Sequence, residues 1–258
     1  MCGRFVITSA PEALRRLFGY PEQPNFPPRF NIAPTQPVPV VMLAQGAPRF
    51  HLMRWGLLPP WVKDPRTFTL LINARAETAR EKPAFRNAIR RRRCLIPADG
   101  YYEWQAIGSR KQPYFIHRRD GAPFGFAALS ETWVGPNGEE LDTVAIVTTA
   151  SDAAMTPLHH RVPVTIAPRD FARWLDCSEV GADDAAALLV APDDGEFVWH
   201  PVSTRVNKVA NDDAQLTLAI SDAEMAADAP PARKPAPRKA APRKAATTPS
   251  GDEQGSLF

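Results

Sequence analysis

A chain of 258 residues with 44% hydrophobic and 23% charged residues has the balance of a soluble globular protein and enough length for one sizeable core. No apolar run reaches membrane-spanning length and the N-terminus lacks a signal-peptide pattern, so a cytoplasmic location is the expectation. The 31 basic and 28 acidic residues divide unevenly: residues 226–258 hold six bases (Arg233, Lys234, Arg238, Lys239, Arg243, Lys244) and three acids (Asp228, Asp252, Glu253), so the body is neutral and the net +3 belongs to the tail. A neutral body argues against a general polyanion binder and leaves room for a local basic groove. Cys2, Cys94 and Cys177 offer neither a disulfide framework nor a CxxC pair, and the five histidines lack ligand spacing, so neither a metal nor a cofactor is expected.

In chain order, Ser9-Ala10-Pro11-Glu12 has the form of a capping box, and Ala13, Leu14, Leu17 and Phe18 follow at helical spacing, predicting a helix over 10–18. The Pro- and Asn-rich stretch 19–37 reads as loop. Strands are expected at Val38–Leu43 and Phe50–Trp55 around a Gln45-Gly46 turn, followed by a rigid aromatic loop from Trp55 to Trp61. Residues 79–93 read as a helix kinked near Pro83, with Arg90–Arg93 a solvated helix end or a phosphate contact. Strands follow at Cys94–Ala98, Tyr101–Gln105, Pro113–His117, Phe124–Leu129 and Thr143–Thr149, then short helices at Pro168–Leu175 and Ala182–Leu189. Many short strands, few helices and no regular βα alternation predict an α+β fold around a curved or barrel-like antiparallel β core, with one domain over 1–225. The directly repeated Ala-Pro-Arg-Lys-Ala units at 236–245 have no apolar periodicity, and 226–258 is expected to be a disordered basic tail.

Chemistry centres first on Met1-Cys2-Gly3-Arg4-Phe5. Trimming of Met1 would leave Cys2 with a free α-amine and a thiol on neighbouring carbons, both partly deprotonated near neutrality. Such an aminothiol captures an aldehyde: the amine forms a Schiff base and the sulfur closes a thiazolidine. Arg4 puts a cation beside the thiol, which favours thiolate; the alternative is a small apolar residue opening a first strand. In Asn73-Ala74-Arg75-Ala76-Glu77-Thr78, Asn73 and Arg75 share one face if the stretch is extended, suiting a phosphate or sugar oxygen, whereas a helix start would make Asn73 a cap. Alternation along Tyr101-Tyr102-Glu103-Trp104-Gln105 groups Tyr101, Glu103 and Gln105; the Glu103 carboxylate there is either solvated or desolvated and fit for proton transfer. His159-His160-Arg161 brings imidazoles, the commonest acid–base groups, ahead of a strand expected to open at Pro163.

Taken together, Cys2–Phe5, Phe30–Thr35, Trp55–Trp61, Asn73–Thr78, Arg93–Trp104, His159–Pro163 and Val202–Asn207 resemble, in order, the motifs of the SOS-response-associated peptidase family over about residues 2–215. The resemblance implies a protein that loses its initiator Met and cross-links through Cys2 to abasic sites in single-stranded DNA. It gives Asn73 the reacting sugar, Glu103 the proton transfers of Schiff-base formation and ring closure, and His159 the acid–base role. It gives Arg4, Arg75 and Arg161 DNA contacts, and Trp61 and Trp104 stacking or bending surfaces. Two positions depart from the family: Val162 stands where Met is usual, and Lys208 where a second Asn is common. A cysteine peptidase using Cys2 with His159, and a non-covalent single-strand-binding module, are the competing readings. The end of the tail, with Gln254, Leu257 and Phe258, resembles the short peptide by which bacterial proteins bind the replicative sliding clamp, with Gly255 where Leu is usual. A clamp partner is the expectation from it, and the setting implied is the cytoplasm, at the nucleoid.

Overall fold

Long runs of β-branched and aromatic residues from 37 to 150 are too apolar to face water on both sides, and they close on themselves. The computed structural model describes residues 2–108 and 110–227; the tail repeat and Gln254, Leu257 and Phe258 lie outside the described residues. In chain order the elements are β1 (Phe5–Ile7), α1 (Pro11–Phe18), β2 (Arg29–Ile32), β3 (Pro37–Ala44), β4 (Ala47–Trp55), β5 (Asn73–Arg75), α2 (Ala88–Arg91) and β6 (Arg93–Ala98). There follow β7 (Gly100–Ile107), β8 (Arg110–Arg118), β9 (Phe124–Val134), β10 (Glu140–Ala150), β11 (Arg161–Pro163), β12 (Thr165–Ile166), α3 (Phe171–Leu175), α4 (Ala182–Ala186), β13 (Phe197–Pro201) and α5 (Asp222–Ala227).

Strands β10, β4, β3, β6 and β9 pair in that order, and β9 pairs back to β10, so five strands form a closed barrel with no free edge within the ring. The expected barrel-like α+β fold is therefore present. Pairing is antiparallel except where β10 runs parallel to β4 and to β5. The β3–β4 turn has Gln45 at φ 52° and Gly46 at φ 77°, the two left-handed residues that a type I′ hairpin requires. Inside are Trp55, Leu95, Phe126 and Ile146, with Phe5 edge-on to both Trp55 and Phe126.

A second, antiparallel sheet of order β2-β1-β7-β8-β13 lies against the barrel. Its alternation is the one expected: Tyr101 joins the main core, and Tyr102 joins a smaller one with Val6, Phe115, Val202, Val206 and Leu216. Gly100 permits this sheet's tight packing, since a Cβ there would lie 2.4 Å from the Phe115 ring.

Five local expectations are corrected. Ser9 does not cap α1; Ala10 occupies the N-cap, and Ser9 turns its hydroxyl and N–H to Asp99, which also takes the Thr8 N–H at 2.6 Å. Residues 29–32 are strand rather than loop, because β1 offers them an edge across from Phe5 and Ile7. Within 79–93 the helix shrinks to α2, and the second late helix ends at Ala186. Finally, Arg93 is not solvated: it is 1% exposed, and its nitrogens donate to the carbonyls of Ile89, Trp174, Asp176 and Val180.

Candidate active site

Cys2 lies just ahead of β1, wholly buried, with its Sγ 3.8 Å from the Arg4 carbonyl. Asn73, on β5, donates its amide to the Cys2 carbonyl at 2.9 Å, while its Oδ1 has no partner among the described residues. Asn73 stands there because β5 pairs with β10, Asn73 opposite Ile146. It is thus a strand residue, not a helix cap.

Glu103 is 3% exposed, on the same face of β7 as Tyr101, so it is buried rather than facing solvent. Its charge reaches both neighbours. Burial, reinforced by Glu103, pushes the Cys2 thiol well above its ordinary range. Burial lowers the His159 imidazole, with Glu103 opposing that shift. The expectation of a thiolate favoured by Arg4 is therefore corrected: desolvation dominates, and Arg4 reaches the thiol only through its backbone carbonyl. Arg4 Nη1 is itself turned to Asn31 Oδ1 and the Val206 carbonyl, both at 2.8 Å.

His159 follows a run of turns over 153–158, its N–H donating to the Met155 carbonyl at 3.0 Å. The Arg161 N–H lies 3.0 Å from His159 Nδ1, which orients the ring, and His160 stacks on it at 4.4 Å. The strand that follows is Arg161–Pro163, so Pro163 closes it rather than opening it. Glu103 and His159 share a cleft of about 500 Å³ with Trp104, Lys111 and Asn207. Trp104 is pinned by its Nε1–H to Asn207 Oδ1 at 2.8 Å. Trp61 is 53% exposed, away from the lining of this cleft.

The arginines separate by environment. Arg75 is exposed and makes no ion pair among the described residues. Arg161 instead forms a two-pronged pair with Glu77 at 2.8 and 2.9 Å, its side chain only 12% exposed. Burial raises the Glu77 carboxyl, but the Arg161 contacts and two backbone hydrogen bonds together outweigh it and the net shift is downward. Arg161 thus ties 159–163 to 75–77 through this pair.

Two residues escaped sequence reasoning. Asn31, fully buried, donates to the carbonyls of Val206, Lys208 and Asn211, so β2 fastens the 204–211 segment behind Trp104 and Asn207. Its signals were one polar residue between Phe30 and Ile32 and its place in the Phe30–Thr35 motif, neither of which gave it a role. The Lys208 departure is harmless to this contact, which uses the Lys208 backbone. Lys111 reaches the cleft from β8, and nothing in its sequence neighbourhood marked it.

The chain is similar along most of its length to proteins of known family. It is 37% identical over 220 residues to the abasic site processing protein YoaM of Bacillus subtilis, covering 84% of this chain and 97% of that one. It is 34% identical to the abasic site processing protein YedK of Escherichia coli (84% and 98% covered) and 30% to HMCES of Xenopus tropicalis (85% and 78%). A crystal structure of a Bacteroides thetaiotaomicron protein superposes with a TM-score of 0.76 at 25% identity, covering 85% of this chain and all of that one. A phage-related protein of Bordetella bronchiseptica gives 0.65 at 33% identity, covering 78% and 94%. With residues 1–209 matching the family model described as SOS response associated peptidase (SRAP), the chain belongs to that family.

Proposed function

We propose that this protein processes abasic sites in single-stranded DNA during DNA repair, and that it does so by bonding Cys2 covalently to the ring-opened sugar. The relatives' names support the first half. The observation that carries the second is the burial of Cys2 under the Asn73 amide and within the field of Glu103, beside a cleft that Glu103 and His159 line.

The chemistry balances without an oxidant. Once Met1 is removed, the Cys2 amine adds to the C1′ aldehyde and water leaves, forming a Schiff base. The S–H then adds across C=N, sulfur to carbon and proton to nitrogen, closing a thiazolidine with one water lost overall. A thiol held protonated by burial brings that proton with it, and Glu103 is the carboxylate to carry it. His159 protonates the ring oxygen to open the sugar, and Asn73 Oδ1 accepts a sugar hydroxyl. Arg75 contacts the flanking phosphates, with Trp104 and Trp61 as stacking surfaces. Arg4 acts chiefly by holding the segment that carries Cys2 ahead of β1. A cysteine peptidase using the same Cys2 and His159 would need a ready thiolate, which burial opposes.

The test is incubation with abasic single-stranded DNA followed by denaturation. Wild type should give an adduct whose mass is protein lacking Met1 plus DNA less one water, and Cys2→Ala should give none. Equal, reversible retention of DNA by both proteins would overturn the covalent reading.

A further inference from the structure

A second cavity, of about 370 Å³, opens on the same face of the second sheet as Glu103 and is not used by the mechanism above. Its continuity with the site follows from register. Tyr101 pairs with Ile116, and Ile116 with Trp199, so the three form one row across the sheet, and Tyr101 stands two residues from Glu103 on β7. Trp199 is thus about 10 Å across and about 7 Å along the sheet from Glu103. The segment 152–162 divides the two spaces, with His159 in the cleft and Met155 and Val162 in the second cavity. Val162 is where this chain has a smaller side chain than the Met usual in the motif it resembles.

The lining specifies what the cavity takes. Trp199 is 39% exposed, and its edge-on packing against Tyr114, centroids 5.4 Å apart, fixes the plane of its ring. Tyr101 is 2% exposed and faces the cavity with a hydroxyl that makes no hydrogen bond among the described residues. The rim carries three carboxylates, Asp152, Asp193 and Asp194, against one guanidinium, Arg119. Asp152 accepts the Met155 N–H at 2.8 Å; Asp193 and Asp194 make no ion pair among the described residues. That charge repels phosphate. It accepts the amino hydrogens of a flat, uncharged, aromatic group.

We propose that this cavity seats an unstacked nucleobase flanking the abasic nucleotide on the same strand, its face on Trp199 and its amino group on the rim carboxylates and the Tyr101 hydroxyl. The proposal rests on abasic DNA occupying the cleft, and it gives the protein a sequence preference. A basic peptide is the other ligand such a rim would attract; continuity with the DNA cleft favours the base.

The experiment measures adduct-formation rates at sub-saturating DNA. The oligonucleotides carry dA, dC, dG or dT on each side of the abasic site, plus one with non-reactive tetrahydrofuran residues replacing both flanking nucleosides. Wild type should react about fivefold or more faster with an amino-bearing base than with dT on one side. Asp193→Asn/Asp194→Asn should erase that difference. Trp199→Ala should slow base-flanked substrates about tenfold and leave the baseless one unchanged, with Trp199→Phe restoring most of the rate. Equal wild-type rates on all of these substrates, or an equal slowing of the baseless substrate by Trp199→Ala, would overturn the proposal. Absence of adduct from every substrate would instead refute the reading of the cleft.

Discussion

Strands β6 and β7 are separated by Asp99 alone, and each buries a charged side chain, yet the two charges are handled in opposite ways. Arg93 is closed on all sides: four carbonyls accept its protons, and the Trp174 ring lies 5.7 Å from its guanidinium carbon. Glu103 is almost as buried but borders open space shared with His159, and its field acts on a thiol and an imidazole. A buried charge saturated by fixed partners is a strut. A buried charge beside a cleft is a group that can move a proton.

Substitutions at the two positions should therefore fail in opposite currencies. Glu103→Gln should slow adduct formation by about 10²–10⁴ while changing stability by less than about 1 kcal/mol, read from single-turnover kinetics and urea melts. Arg93→Met should lose about 3–5 kcal/mol of stability, because four buried carbonyls lose their donor, with the rate per folded molecule unchanged. If Glu103→Gln unfolds the protein at full specific rate, the contrast between the strands is wrong.

His159 sharpens the comparison through pH. Burial holds its imidazole below the ordinary histidine value, so it takes up its proton at lower pH than a free imidazole does. Acting as an acid, it makes the rate rise as pH falls below neutrality; His159→Gln should slow the reaction about 10²-fold and flatten that limb. Because the folded value is depressed, stability tied to the neutral ring is present above the unfolded value and is lost as pH falls through the folded one, which denaturation from pH 7 to pH 5 would reveal. Retention of the limb in His159→Gln would move the acid role elsewhere.

The arginines give the smallest effects. Arg161→Gln should cost about 1–2 kcal/mol by breaking the Glu77 pair, well above an exposed ion pair. Arg75→Ala should leave the melt within about 0.5 kcal/mol and reduce the slope of log K against log salt by about one. An unchanged salt slope would remove Arg75 from the DNA contacts.

What sequence reasoning reached was local. Alternation at 101–105 grouped Tyr101 with Glu103, and the Gln45-Gly46 hairpin follows from two adjacent residues. It failed where a distant partner decides. Ser9 reads as a cap until Asp99 competes for its hydroxyl, and 29–32 becomes strand only because β1 lies beside it. Arg93 reads as solvated because its four acceptors are spread from residue 89 to residue 180. The pairing of Asn73 with the Cys2 carbonyl spans 71 residues, and no spacing rule anticipates it.

The clasp that Arg4 and β2 make with the 204–211 segment also sets an order of events in the cell. Arg4 is tied to the Val206 carbonyl and Asn31 to those of Val206, Lys208 and Asn211, so the strand beginning beside Cys2 is locked only after the ribosome has added more than 200 residues. At about 5–20 residues per second, that interval is about 10–40 s. On the proposed mechanism, that is the time in which an aminopeptidase working on the emerging chain would free the Cys2 amine; a chain folded untrimmed would lack the amine that ring closure needs.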